Sequence, residues 1–549
     1  MTDATSARQV RRLLALILGG ALAVRFWGLS FGLPHVLARP DELFVFGVAF
    51  RMLAGDPNPN MFDYPGVYLY FVAGLFSLYF WWSRLTGRVT SVEEFREVFR
   101  VDYEPFFLLT RGATALFGTI TVGVCHAIAA PLFGRTAGLL SAFFLAFAFL
   151  HVRDSHYATT DVPLTLFVMC ALLAALRVHR TRSGREAWLS GVAAGLAVGI
   201  KYNAAPVVVP LAIVEGLHAW SLRRDWRRML RETHLWRMAV ATIAVFLATS
   251  PYLVLDYGNA ARQLQSLAAQ ASVGMTPPEM LGSGWGYHLP FSLRHGLGIP
   301  LLAVGLAGLI WMALRRPPLA LILGSFPLVY YIAAGAGYNV FVRYMVPVVP
   351  FLCLFAGYLV AEIASSAASR LRVPRAALAG ALACAIVAPS AWSAIQFDRL
   401  MAQDDSRVLA ARWVDETVPP GSSVYMSGNR YGHPQIEGLP GGYQIFGYDW
   451  RASHFTHQDR STGVYRESPV DRIPDFIIVQ RSAIPYSHIP EQVERMLPTE
   501  YDLAHTIRAA DLSAKNPYDI QDGFYLAYGR YKGVRRPGPN FEIYRRRAP

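Results

Sequence analysis

Long apolar runs separated by short, arginine-rich loops constrain this chain more than any other feature. Hydropathy picks out twelve segments, near 11–33, 66–83, 106–131, 136–152, 162–178, 187–200, 203–221, 237–256, 297–314, 318–336, 344–363 and 376–396. About 20 helical residues at 1.5 Å each cross the hydrocarbon of a bilayer. Residues 1–397 are therefore expected to form a polytopic α-helical membrane domain, with 187–200 long enough only if its flanks extend it. The charged fraction is 16%, against about 25% in ordinary soluble domains. The deficit is confined to the first 397 residues, and 398–549 read as an appended soluble domain.

The formal net charge of +13 does not point to nucleic acid. The basic residues sit in short loops between apolar runs, as in Arg223, Arg224, Arg227 and Arg228, which is the positive-inside pattern. The N-terminus, with Arg8, Arg11 and Arg12, is placed in the cytoplasm and read as a retained first span rather than a cleaved signal peptide. If 66–83 crossed, every strongly basic loop would fall outside. The sequence therefore predicts eleven crossings, with 66–83 as an amphipathic or re-entrant segment on the outer side, tolerated where protein buries it. Stretches 35–105, 153–161, 257–296 and 337–343 then lie outside, as does the C-terminal domain. The four cysteines, Cys125, Cys170, Cys353 and Cys384, all fall in apolar runs, which predicts neither a disulfide framework nor a cysteine metal site.

Charged residues collect at the outer ends of these runs. Arg39-Pro40-Asp41-Glu42 follows the first span. Carboxylates at a membrane boundary are costly unless solvated, paired or functional, and one of them is suited to act as general base on a hydroxyl. The same residues also suit a helix start, with proline in the first turn and acids favourable to the dipole. Asp154, His156 and Asp161 lie in the next outer loop, where Asp161 is expected to cap the following helix. Lys201 is the only lysine of the membrane part; the other two are Lys515 and Lys532. It suits either snorkelling or a point contact with phosphate or carboxylate. Asp63 and Tyr64, His288 with Arg294, and Arg343 complete the set. Mixed acids and cations on one face suit a phosphorylated, membrane-borne substrate and a hydroxyl acceptor.

Arg25-Phe26-Trp27-Gly28-Leu29, Gly32-Leu33-Pro34 and Arg39-Pro40-Asp41-Glu42 together resemble the N-terminal signature of the GT-C glycosyltransferases, in the branch of protein O-mannosyltransferases and lipid A aminoarabinose transferases. Phe133-Gly134-Arg135 with His156 to Asp161 resembles that branch's second acidic loop, and Arg343 to Phe351 a late span of its bacterial members. The resemblance covers about residues 11–397. It implies a GT-C-like fold with juxtamembrane helices in the first outer loop, 35–105, in a bacterial cytoplasmic membrane. It implies transfer of a sugar from a polyprenyl-phosphate donor to a protein, lipid or glycan hydroxyl on the outer face, with inversion. Asp41 maps onto the catalytic acid, Glu42 onto the second acid of the pair, and Asp161 onto the later acid. The aminoarabinose transferases carry acid-lysine-proline where this chain has Asp63-Tyr64-Pro65. Positive charge toward phosphate is then expected from Lys201, Arg294 or Arg343. The resemblance fixes no cofactor and leaves a divalent metal ion open, with Asp41 and His288 as candidate ligands.

In the C-terminal domain, a helix is expected from Asp404 to Val414, strands at 423–426, 476–479 and 541–544, and a helix over 490–496. This small α/β domain suits either acceptor contact or packing over the outer face. The main rival reading of the whole chain is a lipid-linked sugar transporter or flippase. Such proteins show internal repeats and midplane charges, whereas here no repeat is evident and the charges sit at span ends.

Overall fold

The computed structural model describes residues 7–274, 278–449, 451–459 and 466–548. Part of the expected outer stretch 257–296, residues 275–277, lies outside them. The chain forms two compact units: residues 1–29 with 41–395, and 30–40 with 396–549.

The first unit is helical. Among the described residues, seven helices have the length and apolar composition to cross a membrane: Gly66–Leu85, Glu104–Phe133, Asp161–Thr181, Tyr202–Ser221, Pro317–Gly335, Val342–Leu371 and the one that begins as Arg375–Met401. An eighth follows if Gly284–Leu297 and Ile299–Arg315, bent by 115°, count as one. Arg135–Ala146 and Leu235–Thr249 are apolar but shorter. The expected span near 136–152 is thus broken: it stops at Ala146, and a separate turn of helix runs from Phe149 to Asp154. The N-terminal helix covers Ala7–Phe26 and ends in consecutive turns.

Without a hydrophobic drive between helices in lipid, small residues let backbones approach. Gly191 and Gly195 do this for the Gly184–Ile200 helix, where an added Cβ would stand 2.4 Å from the Met238 carbonyl oxygen and 2.7 Å from that of Thr242.

The Gly66–Leu85 helix follows a different partner. Phe71 packs on Phe117 at 5.2 Å, while Phe76 and Tyr79 each pack on Phe106 at 5.1 Å. It therefore runs antiparallel along roughly the first four turns of Glu104–Phe133. Phe46 and Phe50 of the Pro40–Leu53 helix, with Phe95 and Phe99 of Val92–Val101, close an aromatic knot around Phe76 and Phe106. This knot fixes the angle of the helix that begins at Pro40.

The second unit is built on a seven-stranded sheet of β1 (Ser423–Met426), β2 (Gln444–Asp449), β3 (His454–Asp459), β4 (Arg466–Val470), β5 (Phe476–Arg481), β6 (Tyr501–Ile507) and β7 (Asn540–Arg546). The order is β4-β3-β2-β1-β5-β7-β6. β1 lies parallel to β2 and β5, and the outer pairings are antiparallel. Apolar residues alternate through the strands, so each face carries its own core: Val424, Ile478 and Ile543 with the Ser406–Thr417 helix on one, and Tyr425, Ile477 and Val479 with the Glu491–Glu500 helix on the other. Asp405 caps the first of those helices through the Arg407 backbone N–H. Residues 30–40, which precede the membrane unit's second helix, also fold with this unit.

Candidate active site

Pro40 opens the Pro40–Leu53 helix and places Asp41 and Glu42 in its first turn. Proline there lacks an N–H that would have had no partner in any case. Successive helical residues point about 100° apart, and that rotation separates the two acids.

Glu42 turns inward and is fully buried. Arg111 donates to it twice, Nε to Oε1 at 2.9 Å and Nη2 to Oε2 at 2.7 Å. The Ala158 backbone N–H donates to Oε1 at 2.9 Å, and Arg111 Nη1 also reaches the Leu29 carbonyl at 2.9 Å. Bidentate arginine–carboxylate pairs are strong and directional. This one ties the helix to Glu104–Phe133 and to the loop before Asp161.

Asp41 turns outward, with 32% of its side chain exposed. It borders a cavity of about 560 Å³, lined also by Arg51, Asn60, Asp63, Tyr64 and apolar Phe44 and Val48. Arg343 Nη2 lies 3.2 Å from Asp41 Oδ2, and Arg343 Nε lies 3.8 Å from Asp161 Oδ2. Lys201 Nζ donates to Asp161 Oδ1 at 2.7 Å. Two acids and two cations thus form a chain, Asp41–Arg343–Asp161–Lys201, with one end open to the cavity. The Lys201 ammonium stands 4.9 Å from the Tyr344 ring and 6.0 Å from that of Tyr64. Arg343 lies over Phe341 at 4.0 Å.

Each cluster member sits at a helix end or break. Asp161 is the first residue of its helix, Lys201 follows the end of Gly184–Ile200, and Arg343 lies in the 3-10 turn Val342–Val348. Asp161 does not cap its helix as the sequence predicts. Thr160 holds the cap position without a side-chain hydrogen bond, and the Asp161 carboxylate is used on Lys201 and Arg343.

The structure brings together Asp41, Asp161, Lys201 and Arg343, with Asp63 and Tyr64 on the cavity wall. Partial desolvation pushes the Asp63 carboxyl above its ordinary range. Other expected site residues take different roles. His156 has both ring nitrogens on backbone carbonyls, those of Val152 and Trp27, each at 3.0 Å. Asp154 is buried beside Arg153 at 3.5 Å. His288 meets the Ser292 hydroxyl at 3.0 Å, its ring 6.5 Å from that of Tyr344. Arg294 is exposed. Among the described residues, no group of three or more His, Cys, Asp or Glu side chains is arranged to hold a metal, so Asp41 and His288 do not form such a set.

Two residues went unnoticed in the sequence. Arg111 anchors Glu42, and its signal was an arginine inside an apolar helix, which must find a partner. Arg51 lines the cavity and donates to the Pro59 carbonyl. Its position near a helix end made it look like an ordinary solvated charge.

Residues 108–254 match the family model described as dolichyl-phosphate-mannose-protein mannosyltransferase. Among solved structures, the chain is similar to the Archaeoglobus fulgidus oligosaccharyltransferase in its apo form, at a TM-score of 0.53 and 11% identity, over 99% of this chain and 89% of that one. It is similar to the same organism's oligosaccharyltransferase AglB in complex with an inhibitory peptide and a dolichol-phosphate, at 0.51 and 11%, over 98% and 88%. ArnT from Cupriavidus metallidurans bound to undecaprenyl phosphate aligns at 0.49 and 16%, over 96% and 97%. No curated protein matches the sequence.

Proposed function

We propose that this chain, which matches the dolichyl-phosphate-mannose-protein mannosyltransferase model over residues 108–254 and shares the fold of the archaeal oligosaccharyltransferase, is a GT-C-like membrane glycosyltransferase moving a sugar from a polyprenyl-phosphate donor to an acceptor hydroxyl. The observation that carries this reading is the Asp41–Arg343–Asp161–Lys201 chain, open at Asp41 to a cavity of about 560 Å³. A partly exposed acid at the cavity edge stands beside cations able to take a phosphate. The dolichol-phosphate held by the archaeal protein of this fold supports the donor class.

In the reaction, the acceptor oxygen attacks the anomeric carbon and its proton passes to the Asp41 carboxylate. The bond from that carbon to the phosphate oxygen breaks, and the carrier phosphate leaves as an anion held by Arg343 and Lys201. Direct displacement inverts the anomeric centre. Positively charged groups aimed at the charge that develops lower the barrier most where water is excluded. Asp161 holds both cations in place until the phosphate arrives.

The eleven-crossing topology belongs to the same reading, with the N-terminus cytoplasmic and residues 398–549 outside. In this reading Gly66–Leu85, although long and apolar enough to cross, is a juxtamembrane rather than a crossing helix. Sugar transfer by purified protein from mannosylated undecaprenyl phosphate is the direct test. Asp41→Asn should abolish it while the protein still binds undecaprenyl phosphate. Full activity in that variant would remove Asp41 from the mechanism.

A further inference from the structure

The sheet of the C-terminal unit reverses its order at β1. From β1 the chain runs to β2 on one side, whereas β5, also parallel to β1, lies on the other. The segments leaving the carboxyl ends of β1 and β5 go to opposite faces. Ile436, Leu439 and Tyr443, after β1, join the core of the Ser406–Thr417 helix, while Val493 and Leu497, after β5, join the other core. Connections that part in this way leave a crevice beyond the carboxyl ends of the strands, where open α/β sheets bind ligands. Here the crevice is a cavity of about 500 Å³ that shares no lining residue with the one at Asp41. Small-molecule pockets span about 300–1,000 Å³.

Both arms of the crevice are fixed by one buried side chain. Gln480, in β5, donates from Nε2 to the Ser427 and Asn429 carbonyls of the first arm and accepts at Oε1 from the Ser487 hydroxyl of the second. The Asn429 N–H also donates to the Tyr486 carbonyl, at 2.8 Å, joining arm to arm. The first arm turns at Gly428, at φ +77°, where an added Cβ would collide with the Gln480 amide. Tyr448, half-buried on the wall, is held edge-on by Phe455 at 5.0 Å and by Tyr425 at 6.4 Å. The face of an aromatic ring is its negative side, which suits the polarised C–H face of a pyranose. Around it, Glu437 and Glu491 offer acceptors, and His433, His488 and Gln492 offer both donors and acceptors. Among the described residues lining the crevice there is no lysine or arginine. The adjoining helix opens with Glu491 and Glu494 in its first turn, which offsets the positive end of its dipole. An anion therefore finds no countercharge. Glu491 pairs with Arg495, so one of the two rim carboxylates already has its cation. Hydroxyl groups, which donate and accept at once, match this mixture.

We propose that the crevice binds an uncharged sugar unit of a glycan, stacked on Tyr448 and held through its hydroxyls by Glu437 and Gln492. The site holds the sugar without transferring it, whichever side chain carries the transfer chemistry.

The test is saturation-transfer NMR on the purified full-length protein. The probes are the methyl glycosides of mannose, glucose and galactose, with glucuronate and trilysine as charged comparisons. At least one methyl glycoside should receive saturation, strongest at ring C–H groups of one face, and glucuronate and trilysine should receive none. Glu437→Gln combined with Gln492→Ala, both exposed positions, removes the polar contacts without touching the core. This variant should bind the glycoside about 10-fold more weakly, with the melting temperature and binding of undecaprenyl phosphate unchanged. No saturation of any methyl glycoside would overturn the proposal, as would equal saturation of glucuronate or trilysine. Glycoside binding unaffected by the double substitution would also overturn it, since the sugar would then sit elsewhere. The readout is binding rather than transfer, so failure here and failure of the transferase reading are told apart.

Discussion

Asp41 and Glu42 are neighbours in one helical turn, yet they stand in opposite surroundings. Around Glu42 every direction is closed: a bidentate arginine and a backbone N–H use its oxygens, and no solvent reaches it. Asp41 instead pairs with Arg343, keeps 32% of its side chain exposed and borders a cavity. A carboxylate buried on three donors is out of a substrate's reach, whereas one at a cavity edge beside a shared cation is within it, and the Glu42 knot keeps the turn rigid enough for Asp41 to be aimed. Under the proposed function, this difference makes Asp41 the acid for chemistry and Glu42 the acid for architecture.

The comparison can be broken at four points. The largest effect is expected at Asp41. Removing a positioned acid–base group costs about 10²–10⁴-fold, so Asp41→Asn should lower kcat by about 10³-fold with an unchanged melting temperature, read from initial rates and thermal unfolding of the same preparation. Next comes Glu42→Gln, which strands the Arg111 charge. Breaking one side of a buried pair costs about 3–5 kcal/mol, and the variant should melt well below the parent. Glu42→Leu with Arg111→Met should regain most of that stability, since well-packed apolar pairs often replace buried ion pairs without loss. Third, Lys201→Met should slow turnover by roughly 10²-fold, since it removes a cation from the leaving phosphate. Wild-type rates in that variant would confine the phosphate to Arg343. The smallest effect is a pH dependence. The Asp63 carboxyl is raised by desolvation, so it takes up its proton at higher pH than an ordinary aspartate. Acidification neutralises a charge on the cavity wall and should tighten binding of undecaprenyl phosphate. Asp63→Asn should flatten that rise on the acid side of the titration.

Much of the cluster was legible in the sequence because charges at the ends of apolar runs are costly, which made Asp41, Asp161, Lys201 and Arg343 conspicuous. Their pairing was not legible, since it depends on which helix ends meet. Glu42 looked equivalent to Asp41 because adjacency hides the 100° turn between them, and its partner Arg111 lies 69 residues away. In the C-terminal unit, β1, β5 and β7 stood out as apolar or aromatic runs. β4 at the edge of the sheet and β3 beside it carry polar residues within the strand, as in His454-Phe455-Thr456-His457, which weakens the apolar pattern. The membership of residues 30–40 in that unit was invisible, because the contacts that decide it come from 405, 435, 522 and 524.

The central claim is that the chemistry belongs to Asp41 and the scaffold to Glu42. The most direct measurement compares Asp41→Asn with Glu42→Gln, each as sugar-transfer rate per folded molecule from mannosylated undecaprenyl phosphate, with thermal stability read in parallel. The account predicts an inactive, fully stable Asp41 variant, and a destabilised Glu42 variant whose folded fraction retains substantial activity. A stable Glu42→Gln protein as inactive as Asp41→Asn would contradict it.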